Sequence, residues 1–322
     1  MLFAGPAGVG KFAFAQALAA SLLCEKKVDG NRPCGQCSSC TWLASGNHPD
    51  FRLIQPEEGE APGSSEEDTP QPATATRGQG TIRVDQIRAL EDFVFVGSHR
   101  HGSRVALVAP ADMMNPAAAN ALLKILEEPP AGVYFILITS HWRRLLPTVL
   151  SRCRSIVFPR PDALLGERWL LGQGVKSAGE LLRLAGGAPL LAAEWAEQGR
   201  LESYRKAIEV LAEKSADPVA MALKWTALVK GEHAFGLTQL VEAVQKWVFD
   251  LTMVKLSGHC RYHETWRDKL EGLAAKASNA GLLSCYNDLL RIRSVVRHPL
   301  NTQLFLEDMA ARYLRALSTG RS

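Results

Sequence analysis

The sequence lacks long apolar stretches. No run approaches the ~20 consecutive apolar residues that a transmembrane helix needs, so no membrane span is predicted. The first residues, Met1 to Ala4, are apolar, but no basic segment precedes them and Gly5-Pro6 follows at once. We therefore expect no secretory signal peptide and a cytoplasmic location. In that reducing compartment, closely spaced cysteines favour metal binding over disulfides.

The sequence also lacks a strong excess of either charge. Its 37 basic and 33 acidic residues give a formal net charge of +4. This mildly basic balance permits nucleic-acid contact without requiring it. The basic residues are scattered, apart from the adjacent pair Arg143-Arg144, which follows an apolar run. A solvated surface and direct DNA contact both stay open.

One segment has no large apolar side chain at all. Between Glu57 and Thr81 the chain consists mostly of Pro, Gly, Ser, Thr and acidic residues. Such a segment cannot bury enough apolar surface to offset the entropy of ordering it, so we predict a disordered insertion over 57–80. The rest of the 322 residues, 47% of the whole being hydrophobic, suffices for two or three domains.

Up to residue 159 the pattern alternates between strands and helices. Residues 104–109 (RVALVA) and 133–138 (VYFILI) are continuous apolar runs, as buried parallel strands are, and 155–158 is a shorter one. Between the first two, Asn115-Pro116 predicts the start of a helix that ends before Pro129. This alternation predicts a parallel α/β sheet.

After Pro159 the strand signals end. Glycines and prolines divide 162–200 into three predicted short helices, and 203–322 predicts five or six longer ones. One apolar stripe at helical spacing there predicts an internal core, some of whose members would face partners in an assembly. It comprises Leu237, Leu240, Val241, Val244, Val248 and Leu251.

A phosphate-loop motif stands near the start of the chain. Residues 5–11 (GPAGVGK) fit G-x-x-x-x-G-K and lie between a short strand-like segment and a helix. In such a loop, backbone N–H groups and the helix N-terminus surround a phosphate, and Lys11 reaches the outer phosphates. Gly5, Gly8, Gly10 and Lys11 are therefore candidate nucleotide-binding residues, although an ordinary strand-to-helix turn would share this pattern.

The motif lacks its magnesium ligands. A hydroxyl residue is required after the lysine to bind Mg²⁺, but Phe12 occupies that position. The strand at 104–109 should end in carboxylates, yet it runs into Ala109-Pro110. Asp112 is the nearest acid, and a capping or surface role fits it better than metal binding. We expect residual nucleotide binding at most, and very slow hydrolysis.

Four cysteines have metal-ligand spacing. Cys24, Cys34, Cys37 and Cys40 form C-x9-C-x2-C-x2-C, which can place four thiolates around one tetrahedral ion. This predicts a structural Zn²⁺ site, because four protein ligands leave no open position. An iron–sulfur cluster uses the same ligands and stays an alternative, as do metal-free thiols. The isolated Cys153, Cys260 and Cys285 are predicted to pack in the core.

Several stretches resemble the bacterial sliding-clamp loader family within the AAA+ ATPases. They are the loop at 5–11 followed by the cysteine cluster, 118–130 (AANALLKILEEPP), 150–153 (LSRC) and, more loosely, 301–308 (NTQLFLED). The resemblance covers nearly the whole chain. It implies an AAA+ P-loop domain over 1–159 containing the zinc module, a helical lid over 160–202 and a helical collar over 203–322.

The resemblance also implies roles for particular residues. Ser151-Arg152-Cys153 is similar to the family's SRC motif, whose arginine enters the ATP site of the neighbouring subunit. Without the resemblance, Arg152 would be read as a surface salt bridge. The family's motor subunits carry an arginine in the lid, and the matching residues here, Gly187 to Leu190, have none. The family has some two dozen residues before the loop, so we expect the first strand here to be a stub.

The resemblance, together with the missing magnesium ligands, implies a stator-like, non-hydrolysing subunit of a DNA polymerase III clamp loader. Its implied partners are gamma/tau and delta subunits in a five-membered ring, and through the ring the sliding clamp and primed DNA. Without paired carboxylates for two metals, no polymerase activity is expected of the chain itself. Two alternatives stay open: an active motor ATPase, and a stand-alone zinc-bearing nucleic-acid-binding protein.

Overall fold

The computed structural model describes residues 1–28, 32–57, 80–95, 102–213, 217–231, 235–296 and 301–318. The chain divides into two compact units, Met1–Arg160 and Pro161–Ser322. The predicted disordered insertion at 57–80 lies almost entirely outside the described residues.

The first unit alternates strands and helices, as its sequence pattern predicts. Its elements are β1 (Leu2–Ala4), α1 (Lys11–Leu23), α2 (Ser38–Ala44), β2 (Phe51–Ile54), α3 (Val84–Phe95), β3 (Arg104–Val108), α4 (Pro116–Glu127), β4 (Val133–Thr139), α5 (Pro147–Arg152) and β5 (Ser155–Val157). Short 3₁₀ turns occupy Ala111–Met113 and Trp142–Arg144. Strand β2, which the sequence pattern did not reveal, is four residues long, and β1 is the expected stub.

The five strands form one sheet in the order β2-β3-β4-β1-β5, and every neighbouring pair is parallel. Alternate residues of each central strand enter different cores. On β3, Ala106 and Val108 pack with α3, α4 and α5, whereas Val105 and Leu107 pack on the side of α1. The sheet is thus covered on both faces, which explains the continuous apolar runs of β3 and β4.

The sheet order fixes where the candidate residues can meet. Parallel strands bring their carboxyl ends to one edge, and ligands of open α/β sheets bind outside that edge. The loop after β1, the turn after β3 and the turn after β4 therefore share one edge of the sheet. Strands β1 and β4 pair directly, with Ala4 opposite Thr139.

The second unit is helical throughout its described part. It contains α6 (Ala163–Gly172), α7 (Ala178–Leu184), α8 (Pro189–Glu197), α9 (Arg200–Ala212), α10 (Pro218–Lys230), α11 (Leu237–Ser257), α12 (Arg267–Ala274), α13 (Asn279–Val295) and α14 (Thr302–Ser318). Three short helices and then six more match the predicted numbers, although α12, with eight residues, is no longer than the short ones. The chain clusters into two units, so the separation of a lid from a collar stays a prediction.

Helix α11 is the centre of this unit's core. Five of the six predicted stripe residues are buried there, namely Leu240, Val241, Val244, Val248 and Leu251, and Leu237 packs partly buried against the same core. The internal-core interpretation of the stripe is confirmed. No described helix combines the length and the hydropathy needed to cross a bilayer.

A buried polar cluster lies inside this core. Asp250 is fully buried on α11 and accepts hydrogen bonds from the backbone N–H groups of Arg261, Tyr262 and His263. Because a carboxylate only accepts, His263 Nδ1 donates to Asp250 Oδ2 at 2.8 Å, and His263 Nε2 accepts from the Tyr204 hydroxyl at 2.9 Å. The side chains of Asp250, His263 and Tyr204 thus all have partners within this cluster.

Candidate functional site

The phosphate loop connects β1 to α1 and has the glycine conformations that the motif requires. Gly8 and Gly10 have φ angles of 74° and 98°, a region that favours glycine. Gly5 is needed for a different reason: a Cβ there would lie 2.2 Å from the carbonyl oxygen of Phe158, just beyond β5. The predicted strand–loop–helix context is therefore present, with α1 beginning at Lys11.

The loop's lysine is turned inward onto the loop itself. Lys11 is only 5% exposed, and its Nζ donates to the carbonyl oxygens of Gly5 at 2.7 Å and Pro6 at 2.6 Å, and to Ser140 Oγ at 3.1 Å. An ammonium has three N–H donors, so all three have acceptors. Burial lowers the pKa of Lys11, and the negative charge of Asp112 partly offsets that effect.

The position for a magnesium hydroxyl contains an apolar ring. Phe12 is half-buried and packs against the core on the α1 side of the sheet, with Phe3 and Val105. A phenyl ring provides no oxygen to a metal. The sequence predicts that the hydroxyl ligand for Mg²⁺ is missing at this position. The structure places a ring that packs against the core there instead.

Asp112 is not the surface or capping residue that its sequence context favours. Its side chain is 4% exposed, and its Oδ1 accepts from Thr139 Oγ1 at 2.6 Å while its Oδ2 lies 3.1 Å from His141 Nδ1. Burial alone would raise the pKa of Asp112, but the hydrogen bonds from Thr139 and His141 outweigh it and lower the pKa. Both partners come from the end of β4, which the sheet order places beside β3.

The four predicted cysteines converge. The ligand atoms of Cys24, Cys34, Cys37 and Cys40 all lie within 4.8 Å of one another, with Sγ–Sγ distances of 3.9 Å for Cys24–Cys37 and 4.0 Å for Cys34–Cys40. A tetrahedral ion with Zn–S bonds of about 2.3 Å places its sulfurs about 3.8 Å apart. The geometry therefore fits one tetrahedral metal with four thiolate ligands.

Backbone N–H groups favour the thiolate form at two of the four cysteines, Cys34 and Cys37. Burial alone would raise the pKa of Cys37, but backbone N–H groups of Cys40 and Glu25 lower it to about 6. The backbone N–H groups of Gln36 and Cys37 likewise lower the pKa of Cys34. Burial raises the pKa of Cys40 to about 12. The isolated Cys285 is buried in the core as predicted, whereas Cys153 and Cys260 are half-buried.

A buried hydrogen-bonded chain connects this cluster to the sheet. Because the Asp50 N–H donates to His48 Nδ1 at 3.0 Å, the neutral ring donates from Nε2 to Ser39 Oγ at 2.6 Å. Ser39 in turn donates to the Leu23 carbonyl at 2.6 Å. Asp50 forms a buried salt bridge with Arg104 at the start of β3, at 3.2 Å. Sequence reasoning missed this chain, whose only local signal was the His48-Pro49-Asp50 stretch just after the cysteines.

Arg152 lies at the last residue of α5 and is one-third exposed. Its Nη2 lies 2.5 Å from Glu127 Oε1, and its Nη1 donates to the Thr148 carbonyl at 3.0 Å. Glu127 ends α4, inside the 118–130 stretch. The salt bridge expected from the residues alone is therefore present in the single chain, while the neighbouring-subunit role stays a prediction. In the second unit, Pro189 begins α8 and Leu190 is exposed.

These observations define a class of protein. The five-stranded parallel sheet with a phosphate loop between its first strand and first helix, followed by a helical unit, is the architecture of an AAA+ α/β domain with a helical C-terminal region. A family model described as DNA polymerase III, delta subunit, matches residues 1–162. That match covers half of the chain and includes the loop, the cysteine cluster and Arg152.

Relatives that align with nearly the whole chain show which family within this class it belongs to. The DNA polymerase III subunit delta-prime of Pseudomonas aeruginosa is 34% identical over 328 aligned residues, which cover 97% of this chain and 90% of that protein. The delta-prime subunit of Escherichia coli is 28% identical over 97% of this chain and 88% of its own length. The gamma/tau subunit of Mycobacterium bovis is 38% identical, but over only 49% of this chain and 24% of that protein. The chain belongs to the delta-prime family of DNA polymerase III clamp-loader subunits.

Proposed function

We propose that this chain is the stator-like subunit of a DNA polymerase III clamp loader, which does not hydrolyse ATP itself. It holds the ring of gamma/tau and delta subunits together while their ATP-driven cycle loads the sliding clamp onto primed DNA. The observation that carries this proposal is the state of the phosphate loop, in which all three donors of Lys11 have acceptors within the chain and Phe12 replaces the Mg²⁺ hydroxyl.

The chemistry of phosphoryl transfer explains why these features oppose hydrolysis. Catalysis depends on positioning the phosphates and neutralising their charge with Lys and Mg²⁺. Lys11 would have to give up backbone or Ser140 contacts to reach a phosphate. The end of β3 provides no exposed carboxylate for the metal, because Asp112 is buried and hydrogen-bonded to Thr139 and His141. ATP binding at Gly5, Gly8, Gly10 and Lys11 is accordingly weak, and turnover is very slow.

Arg152 gives the chain a role in a neighbour's reaction. Its guanidinium is partly exposed, and its partner Glu127 is about half exposed. A surface ion pair of this kind stabilises by only about 0–1 kcal/mol, so exchanging Glu127 for a phosphate oxygen costs little. An arginine finger placed on the transferring phosphate raises the rate by about 10³–10⁵-fold. The gain at a neighbouring ATP site thus far exceeds the cost of breaking the pair.

Two structural assignments complete the proposal. Cys24, Cys34, Cys37 and Cys40 hold one structural Zn²⁺, which the sulfur spacing and the buried Ser39–His48 chain beside it support. Residues 160–202 serve as the lid and 203–322 as the collar through which the ring assembles. Exposed leucines in the second unit are available for that assembly, among them Leu223, Leu256, Leu283, Leu290 and Leu304.

The test is a reconstituted loader containing Arg152→Ala. We expect the ring to assemble normally and its DNA-stimulated ATPase rate to fall by at least an order of magnitude. Arg154→Ala is the matched control, because Arg154 is also exposed and lies two residues away. An unchanged ATPase rate in a correctly assembled Arg152→Ala ring would remove the finger role. Failure of the wild-type chain to assemble with gamma/tau and delta would remove the stator role.

A further inference from the structure

The turn that follows β4 carries an unusual set of exposed side chains. We call residues 141–144 the Trp142 turn; it consists of His141 and the 3₁₀ segment Trp142–Arg144. Its backbone is held at both ends: the His141 N–H donates to Thr139 Oγ1 at 2.9 Å, and the Leu145 N–H donates to the Trp142 carbonyl at 3.1 Å. Leu145 is buried in the core and fixes the end of the turn.

The Trp142 turn presents an indole ring and two arginines to solvent. Trp142 is 52% exposed, and the Arg143 guanidinium lies 5.3 Å from the centre of its ring. Arg143 and Arg144 are both exposed, and neither forms a salt bridge with any acidic residue in the described ranges. Arg152, eight residues later, is paired with Glu127.

The turn is distinct from the chain's other tryptophans. Trp195, Trp225 and Trp247 are buried in the helical unit, where they stabilise its core, and Trp42 and Trp266 are half-buried. Trp169 is also exposed, but only one arginine, Arg168, adjoins it, and its other large exposed neighbours on α6 are leucines, Leu164, Leu165 and Leu171. Within the described residues, the Trp142 turn is thus the place where an exposed indole stands beside two arginines without acidic partners.

The turn lies at the ligand-binding edge of the sheet. The residue just before it, Ser140, accepts a hydrogen bond from Lys11 of the phosphate loop at 3.1 Å. His141 contacts Asp112 beyond β3. The polar groups of Lys11, Ser140 and Asp112 therefore have partners within this edge, while Trp142, Arg143 and Arg144 are exposed to solvent together with the His141 ring.

We propose that the Trp142 turn binds single-stranded nucleic acid, with a base stacked on Trp142 and phosphates contacted by Arg143 and Arg144. Proteins that bind single strands combine aromatic stacking platforms with cationic side chains for the backbone. An indole ring that is 52% exposed and stands beside two guanidinium groups fits this chemistry. An acidic protein surface would pair with the arginines but would not use the flat face of the ring, so the observations favour a nucleic-acid strand. This inference rests on the proposed function and adds a direct strand contact by this subunit.

The experiment is fluorescence anisotropy of the full-length zinc-loaded chain with labelled dT20, and with rU20 to distinguish DNA from RNA. We expect Trp142→Ala to weaken binding by roughly fivefold to a hundredfold, the range for loss of one stacked base. Arg143→Gln/Arg144→Gln should weaken binding and reduce the slope of log affinity against log salt by about 1.4, since each phosphate contact on a single strand contributes about 0.7. Blunt duplex DNA should bind more weakly than dT20, because its bases are already stacked.

The matched control is Arg168→Gln/Trp169→Ala, which removes the same two residue types from an exposed site in the other unit. This control should bind dT20 like the wild type. The inference would be overturned if the control lost as much dT20 affinity as the Trp142 variant. It would also be overturned if the wild type did not bind dT20, or if the Trp142 and arginine variants bound it unchanged.

Assembly of each variant with gamma/tau and delta is measured in parallel. Normal assembly with unaltered dT20 binding refutes only the strand contact, and the stator proposal survives. If the Trp142 and arginine variants lose assembly while keeping dT20 affinity, the turn belongs to a protein interface and the inference is wrong. Failure of the wild type to assemble concerns the proposed function and not the turn.

Discussion

The phosphate loop and the cysteine cluster of the first unit both gather polar groups, but they do so in opposite ways. In the loop, Lys11 finds all its acceptors within the chain, two backbone carbonyls and Ser140. In the cluster, four sulfurs lie within 4.8 Å of one another, a spacing that suits thiolates around a cation. The polar groups of the loop therefore pair with one another, whereas the four sulfurs of the cluster converge as ligands for an ion would. A motif recognised from residue spacing does not by itself tell whether its polar groups pair with one another or converge on a ligand.

The largest effect on stability is expected from changes to the four-cysteine cluster. Cys37→Ser, or removal of metal with a chelator, should eliminate zinc and destabilise the first unit, because structural zinc binding contributes about 10–16 kcal/mol in small modules. Metal analysis should give about one zinc per wild-type chain, and thermal unfolding should shift sharply downward in the variant. Cys153→Ser is the control and should keep its zinc. A full zinc content in Cys37→Ser, or iron in place of zinc, would refute the zinc assignment.

The next largest effect is expected at the buried Arg104–Asp50 salt bridge, which joins the segment after the cysteines to the sheet. Arg104→Met should lower the free energy of unfolding by about 3–5 kcal/mol, because it leaves the buried carboxylate of Asp50 without its cation. Urea denaturation measures this change. Arg52→Met is the matched control, since Arg52 also contacts the Phe93 ring but is exposed, and it should change stability by less than about 0.5 kcal/mol. Equal effects of the two variants would show that the salt bridge does not stabilise the fold.

Lys11→Met tests whether the loop is self-contained. Removal of the ammonium leaves the Gly5 and Pro6 carbonyls without their donor, so we expect a loss of about 1–3 kcal/mol in the free energy of unfolding. The ATPase rate of a loader containing the variant should not change. Lys124→Met, at an exposed site on α4, is the control for both measurements. Steady ATP turnover by the purified wild-type chain that Lys11→Met abolishes would instead support an active motor subunit.

The smallest effect is expected at the buried cluster of Tyr204, Asp250 and His263 in the second unit. Like the phosphate loop, this cluster satisfies its polar groups with partners from the chain itself. Burial and the charge of Lys246 lower the pKa of His263, although Asp250 and Glu180 act in the opposite direction. Below the unfolded value of about 6.5, the unfolded chain therefore binds a proton that the folded chain does not. The free energy of unfolding should fall as pH drops below that value, by at most about 1.4 kcal/mol per pH unit for this one group.

Urea denaturation at pH 7.5, 6.5 and 5.5 checks this prediction. This pH range lies above the usual pKa values of carboxylates. Burial would raise the pKa of Asp250, but its hydrogen bond with His263 helps to lower it, so Asp250 stays ionised throughout. His263→Gln removes the titrating ring and should show a smaller loss of stability between pH 7.5 and 5.5. If the two proteins have the same pH dependence, His263 is not the group responsible.

Local sequence rules predicted much of the first unit. The continuous apolar runs gave β3 and β4, because strands covered on both faces must be apolar at every position. Asn115-Pro116 gave the start of α4, where the Asn115 side chain accepts from the Ala118 N–H at 2.8 Å. Strand β2 was missed because Phe51–Ile54 is short, includes an exposed arginine and follows the cysteine segment without a clear turn signal.

The environment of Asp112 could not be predicted in the same way. Its partners Thr139 and His141 lie 27 and 29 residues away, and they reach it only because β3 and β4 are neighbours in the sheet. The exposure of Trp142 has the same origin, since it depends on what packs against the turn after β4. Sequence spacing carries no direct information on either point.

The sequence alone determined which chemical groups this chain has: four cysteines at metal spacing, a loop without a magnesium hydroxyl, and an arginine after a serine at 152. Those conclusions depend only on residue identity and short spacing. The tertiary structure decided how the groups are used: the inward turn of Lys11, the burial of Asp112, the Arg104–Asp50 pair beside the cysteines and the pairing of Arg152 with Glu127. The physical reason is that hydrogen bonding and burial depend on contacts between distant segments, and the order of strands in the sheet sets those contacts.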